Sequence, residues 1–402
     1  MTSRTVTVST AAQLTAAARA ARGGDTILLA PGNFGDVRLD NLRPTGTITI
    51  KSADAANDAV MRTLTMMNSH NIIIEDIDIS RPLAAGASQN SYAVNVGRAH
   101  NITFVGIDVS GSMNNDARDD GLGMSLNGSR LSIIDSTFTQ LRTALAVAGS
   151  DFMFVGNTVT QVREGLSIRS MTRGLFSNNL MTDWQADYAK GEHPDMFQVH
   201  NGGTAVASSD LIFRNNIMLP GENGGVGGIF MRSATGKTDR HSNILIENNY
   251  YEGNFRHGIS VSDTDDVTIR NNTVRGGTNT GPNSSLGPAI LLSNVIGGLI
   301  ENNITPLLLQ SRTMPNIDIT FANNIDLWDS KQKLGISDAD LFPDENAGEI
   351  DFSHLNVVST SQAAAMGIGF RAVAEIGDLA GSAVASMAAW QPGFDAHFTA
   401  FG

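Results

Sequence analysis

The sequence predicts an all-β chain wound as a right-handed parallel β-helix, a solenoid with an N-terminal helical cap and an irregular C-terminal segment. Three observations predict it. First, short alternating strands recur at 71–79, 101–109, 131–138, 152–159, 175–181, 211–217, 244–250, 267–273, 299–304 and 319–325. Second, another strand type alternates with them, at 92–96, 122–126, 144–147, 165–169, 196–200, 228–232, 258–262 and 288–292. Third, one turn residue returns: Asn179, Asn216, Asn249, Asn272, Asn303 and Asn324, at offsets of 37, 33, 23, 31 and 21. One coil per repeat, stacked so that neighbours bury each other's apolar face, produces such a pattern. A sandwich has no reason to return the same turn residue to the same point. Stacked Asn side chains can hydrogen-bond as a ladder and tolerate left-handed turns.

In chain order, residues 5–8 alternate like a strand. Ser9 and Thr10 can cap an Ala-rich helix over about 11–22, which Gly23-Gly24 ends. Residues 25–30 then read as a strand and Pro31-Gly32 as a turn. This cap followed by "GDTILLAPGNF" resembles the start of right-handed β-helix proteins of the pectate-lyase-like superfamily, including the chondroitinase-B-like alginate lyases. The resemblance speaks to fold more than to activity. We divide the chain into 1–46 (strand and cap), 47–327 (β-helix) and 328–402. The last part is acidic over 329–350, rich in Ala and Gly over 363–389, and aromatic near its end. It reads as a cap for the open end of the solenoid or as an oligomerisation segment, for instance in a homotrimer.

Composition narrows the partners. A formal net charge of −13 argues against nucleic acid. It would also weakly repel an acidic glycan, so such a glycan requires a local basic patch. With no cysteine, disulfides play no part. No run of 18 apolar residues predicts a membrane span. No charged-then-apolar leader opens the chain. The expectation is therefore a cytoplasmic protein, a mature extracellular one, or a phage virion component.

Strand register places the candidate site. Leu166 and Ile168, Phe197 and Val199, Ile229 and Met231, and Ile259 and Val261 should point inward, so the residues between them face solvent. Coils stack ~4.8 Å apart, so outward residues form columns. One column is Arg169, His200, Arg232, Ser262. A second is Ser167, Gln198, Phe230, Ser260. A third is Glu164, Asp195, Gly227, His257. The stretch 190–200 is the densest in proton-moving groups, with Lys190, Glu192, His193, Asp195, Gln198 and His200. The long insertions 179–195 and 216–228 precede this strand and should wall a groove. Trp184 and Tyr188 in the first wall could stack on sugar rings, although Trp184 could equally pack under its own loop. Pro194 holds His193 extended, at the lip. Arg312 is expected beyond the groove. No cofactor is implied, although Asp116, Asp119 and Asp120 offer oxygens for calcium.

The strand "HPDMFQVHN", with "GGIFMRS" and "RHGISV" after it, is similar to β-helix proteins of alphaproteobacteria and their phages. That resemblance implies action on extracellular polysaccharides but assigns no catalytic residue. The Asp-Pro-His order of mannuronan epimerases is absent here. The first chemical expectation is an enzyme cleaving a uronic-acid glycan by β-elimination. Arg169 and Arg232 would bind the carboxylate, and His200 or a Lys190 made less basic by neighbouring cations would be the base. His193 or His257 would be the acid, and Asp195 would orient a histidine. Glu164, Ser167, Gln198, Phe230 and Ser260 would line the substrate. A glycoside hydrolase using Glu164 and Asp195 is the second expectation. It ranks lower because nearby cations should hold both carboxyls ionised. A spike or adhesin that only holds glycan is the third.

Overall fold

The computed structural model describes residues 3–192, 194–202, 206–221, 225–233, 239–276, 287–328, 341, 361, 367–371 and 394–398. The strands of these residues pair in parallel, each with its counterpart one coil away, as in a β-helix. Winding begins earlier than residue 47. Thr5–Val8 already pairs with Thr26–Leu29, which pairs with Ile48–Ser52. The capping helix is Ala11–Ala20, and Thr10 accepts from the Gln13 N–H at its N-cap. Leu14 and Ala18 bury its inner face. The helix thereby covers the first coil, where apolar edges would otherwise meet water.

Each central coil has three faces. The strand Glu164–Ser177 serves two of them, because Ser170 (φ 45°) and Arg173 (φ 60°) turn the chain through left-handed conformations. Leu180–Thr182 forms the third face. Inside, Phe176 stacks on Phe213 with centroids 4.9 Å apart and Phe197 meets both edge-on. Large rings at one level of successive coils fill the bore of the solenoid and hold neighbouring coils in register.

The Asn-Asn pairs divide two tasks that the sequence reading gave to one residue. The first member, as in Asn178, Asn215, Asn248, Asn271 and Asn302, takes the left-handed turn with φ between 51° and 58°. The second is buried and bonded upward and downward. Asn179 Nδ2 donates to Asn216 Oδ1 (2.8 Å), Asn216 to Asn249 (2.8 Å), Asn249 to Asn272 (3.0 Å) and Asn272 to Asn303 (3.0 Å). Each also donates to a main-chain carbonyl, as Asn249 does to Phe213 O (2.9 Å). The ladder amides are thus paired although they are buried.

Parts of the C-terminal segment return to the flank of the solenoid. Phe370 packs with Tyr250 and Ile217, and the Gly369, Phe370 and Arg371 N–H groups bond to Asn302 O, Thr273 Oγ1 and Asn248 Oδ1. Further on, Phe394 is buried in one apolar cluster with Ile134, Met153, Leu175, Ile212 and Leu245. These are outward residues of five successive coils. Arg173 lies over the rings of Phe394 and Phe398 and pairs with Asp395.

Candidate functional site

The expected columns are present. Arg169 pairs in register with His200 and His200 with Arg232. Ser167, Gln198, Phe230 and Ser260 follow one another likewise. In the third column Asp195 is in register with Gly227, and the Asp195 N–H donates to Glu164 Oε1 (3.3 Å). An open cavity takes in the later coils of residues 164–263 and extends beyond them, to 291–314. It is about 910 Å³ and is lined by Phe230, Arg232, Arg256, His257, Ser260 and Arg312 among others. Arg169, His200 and Asp195 do not line it. Arg312, expected beyond the groove, is in its wall.

His200 is fixed in a way that removes it as a base. The Gly202 N–H donates to its Nδ1 (3.1 Å), so in the neutral ring the proton sits on Nε2. Nε2 lies 3.0 Å from Ser167 Oγ and donates to it, and Arg169 Nε donates to the same oxygen (3.1 Å). Burial, then the charge of Arg169, lowers the His200 pKa and keeps the ring neutral. No lone pair is left for a substrate proton. His200 and Ser167 therefore position Arg169.

The two carboxyls behave opposite to expectation. Desolvation raises Asp195 to about 7, and burial together with the Asp195 carboxyl raises Glu164 to about 8. Arg169 is directed to Ser167 instead, and Arg163, which precedes Glu164 in the chain, pairs with Glu192. Asp195 is 3% exposed, and its Oδ1 has no hydrogen-bond partner among the described residues. Gln198 Nε2 reaches only Oδ2, at 3.4 Å.

Next along this column, His257 stacks on Phe230 (4.9 Å, 27°) and meets Phe255 edge-on (5.1 Å). Its ring is held on two sides and presented to the cavity. Arg256 was not singled out in the sequence, although it adjoins His257. Its Nη1 is buried and has no hydrogen-bond partner among the described residues. Arg232, Arg256 and Arg312 thus bring three guanidinium groups to one cavity in a chain of net charge −13.

The structure places the other expected residues as follows. Trp184 is fully buried and turned into the core, so it offers no face to a sugar. Tyr188 packs on Gly225, and burial pushes its hydroxyl up to about 12. Lys190 is exposed and pairs with Asp187 (2.8 Å), an anion and not the cation that its role as a base required. His193 lies outside the described residues. The acidic run is divided among separate partners. Asp116 pairs with Arg118, Asp119 accepts from Asn114, and Asp120 is buried on Ser112. Among the described residues no group of three or more His, Asp or Glu is placed to hold a metal.

The wall that carries Lys190 is anchored from beneath. Arg163, buried to 5% exposure, forms an ion pair with Glu192, and Glu192 also accepts from the Asp187 N–H (2.7 Å). Glu192, part of the proton-moving stretch in sequence, is a structural anion.

A family described as right handed beta helix region matches residues 120–305. No curated protein matches the chain. Among solved structures, an alginate lyase from Paenibacillus sp. str. FPU-7 is similar at 15% identity and a TM-score of 0.46, over 80% of this chain and 99% of that one. The mannuronan C-5 epimerase A-module of Azotobacter vinelandii is similar at 15% identity and 0.47, over 78% and 91%. The Dettilon tailspike protein is similar at 13% identity and 0.44, over 74% and 62%. Family match and coordinates agree on the architecture: residues 120–305 are a right-handed β-helix region, and the candidate cavity opens on one face of it.

Proposed function

We propose that this chain is an extracellular or virion-borne polysaccharide depolymerase that cleaves a uronic-acid glycan by β-elimination. One observation carries the reading: three arginines and one imidazole line a single cavity of an otherwise acidic protein. A uronate carboxylate bound by Arg232, Arg256 or Arg312 would be neutralised, which acidifies the proton at C5 and stabilises the enolate formed when it leaves. Arg256, with a buried unpaired nitrogen, is suited to that oxygen. His257 would take the C5 proton. The imidazolium so formed can return it to the leaving O4 as the C4–O4 bond breaks, so one group serves as base and acid. Asp195, across Gly227, would orient the ring. Arg169, held by Ser167 and His200, would contact the polymer beyond the cavity.

A specific observation favours a second reading. Glu164 and Asp195 are adjacent carboxyls with raised pKa values, as a general acid in a hydrolase requires. Against it, Asp195 is almost fully buried, whereas a glycosidic oxygen must be reached directly.

Incubation with uronate polymers and with neutral polysaccharides separates these readings. Elimination creates an unsaturated uronate that absorbs in the ultraviolet. Reducing ends without that absorbance would overturn elimination in favour of hydrolysis. Binding without either product would leave a glycan-holding spike.

A further inference from the structure

The outward column that supplies Phe230 changes character toward the C-terminal end. Phe230 is in register with Ser260, Ser260 with Leu291, and Leu291 with Leu309. The inward partners Ile290 and Leu292 are fully buried, whereas Leu291 and Leu309 face the cavity and line it together with Met314. Met314 is 46% exposed. Aliphatic residues on successive coils of a sugar-facing strand contribute no hydrogen bond to a polyol. Their place calls for an apolar group.

The neighbouring column indicates what that group is attached to. Two residues along the same strands stand Arg232, Ser262, Ser293 and Ser311, the last bonded through its N–H to Leu292 O (2.9 Å). Arg312 follows directly. Two residues of strand span about 6.6 Å, comparable to the reach across one pyranose ring from its carboxylate to a substituent on the far edge. Arg312 therefore follows the shelf on the coil of Leu309, and Arg232 flanks the same column three coils earlier, beside Phe230.

We propose that the glycan taken by this cavity carries O-acyl esters on its uronate residues, with the carboxylate on the arginines and the acyl methyl on Leu291, Leu309 and Met314. The inference rests on the uronate reading above. An ester is favoured over a deoxy-sugar methyl because the carboxylate already occupies C6 of the ring that the arginines hold. The shelf selects for the ester by burying its methyl, a gain of about fourfold in affinity per methyl-sized group.

The test is binding of O-acetylated bacterial alginate, the same alginate de-esterified in mild alkali, and O-acetylated glucomannan, each titrated into the full chain. The expected result is acetylated alginate bound about fourfold or more tighter than its de-esterified form. That preference should be lost in Leu309→Asn and, independently, in Leu291→Asn, with unchanged melting temperature in at least one of them. Equal binding of both alginates, or a preference that survives both substitutions, overturns the shelf and leaves the uronate reading standing. Binding of the glucomannan alone supports an ester shelf and overturns the uronate reading. Binding of none of the three overturns both.

Discussion

Asp195 and His257 flank the empty side-chain position of Gly227. A Cβ built there would lie 2.1 Å from Asp195 Oδ1 and 3.3 Å from His257 Cβ. Only a residue without a side chain lets the buried carboxyl and the cavity imidazole share that column. Gly227→Ala should therefore displace Asp195 at a cost of ~1–3 kcal/mol, the usual range for overpacking, and lower turnover beyond what stability explains. A variant with wild-type melting temperature and turnover would separate Asp195 from the site.

The arginines give the sharpest comparison. Arg232→Ala and Arg312→Ala should each cut turnover on a uronate polymer, Arg232→Ala by on the order of a hundredfold if it meets the developing charge. Arg19, in the last turn of the capping helix, is the control and should be silent. Kinetics on purified, folded variants checks this. Equal behaviour of Arg19→Ala and Arg232→Ala would remove the cavity from the mechanism.

The raised pKa of Asp195 has a sign. Its folded value, about 7, lies well above that of an ordinary carboxyl, so the native state binds the proton more tightly than the unfolded chain. The stabilisation is fully present below about pH 4 and is lost as pH rises toward 7. Asp195→Asn stays neutral throughout. Its melting temperature relative to wild type should therefore climb between pH 4 and pH 7. A constant difference would show that Asp195 is ionised and paired in the native state.

Asn249→Leu should be more damaging than a typical surface change. Asn249 Oδ1 accepts from both Asn216 N (3.1 Å) and Asn216 Nδ2 (2.8 Å), and its amide serves Phe213 O and Asn272. Each partner stranded in the interior costs ~1–3 kcal/mol. Chemical denaturation gives the value, and an unchanged midpoint would mean that the ladder contributes nothing.

Phe394→Ala tests the returning C-terminal segment. A solenoid is held by nearest-neighbour contacts, and Phe394 instead joins a buried cluster of outward residues drawn from five coils. Losing a buried Phe typically costs ~3–5 kcal/mol. The expected outcome is a lower melting temperature with no change in oligomeric state by light scattering. Conversion of an oligomer to monomer would instead assign this segment to a contact between copies.

The solenoid was legible because each coil repeats one local rule. Alternation sets which residues face in, and that alone places Arg169, His200 and Arg232 in one column. The Asn-Asn pairs marked the turns, because only a few residue types accept left-handed φ and can also satisfy a buried turn. The cavity was not legible in the same way. The strand Leu308–Gln310 is too short to declare itself in sequence, and it brings Arg312 into the wall. Tertiary structure alone decided protonation and hydrogen-bond direction. The two rings of His200 and His257 look alike in sequence. One is closed by the Gly202 N–H and Ser167, and the other is held by aromatic rings at a cavity. Likewise Glu164 and Asp195 read as ion-pair partners, and only their burial away from the arginines made them weak acids. Periodicity determines which face a side chain takes. What it meets there depends on loops of unequal length, and those loops follow no repeat.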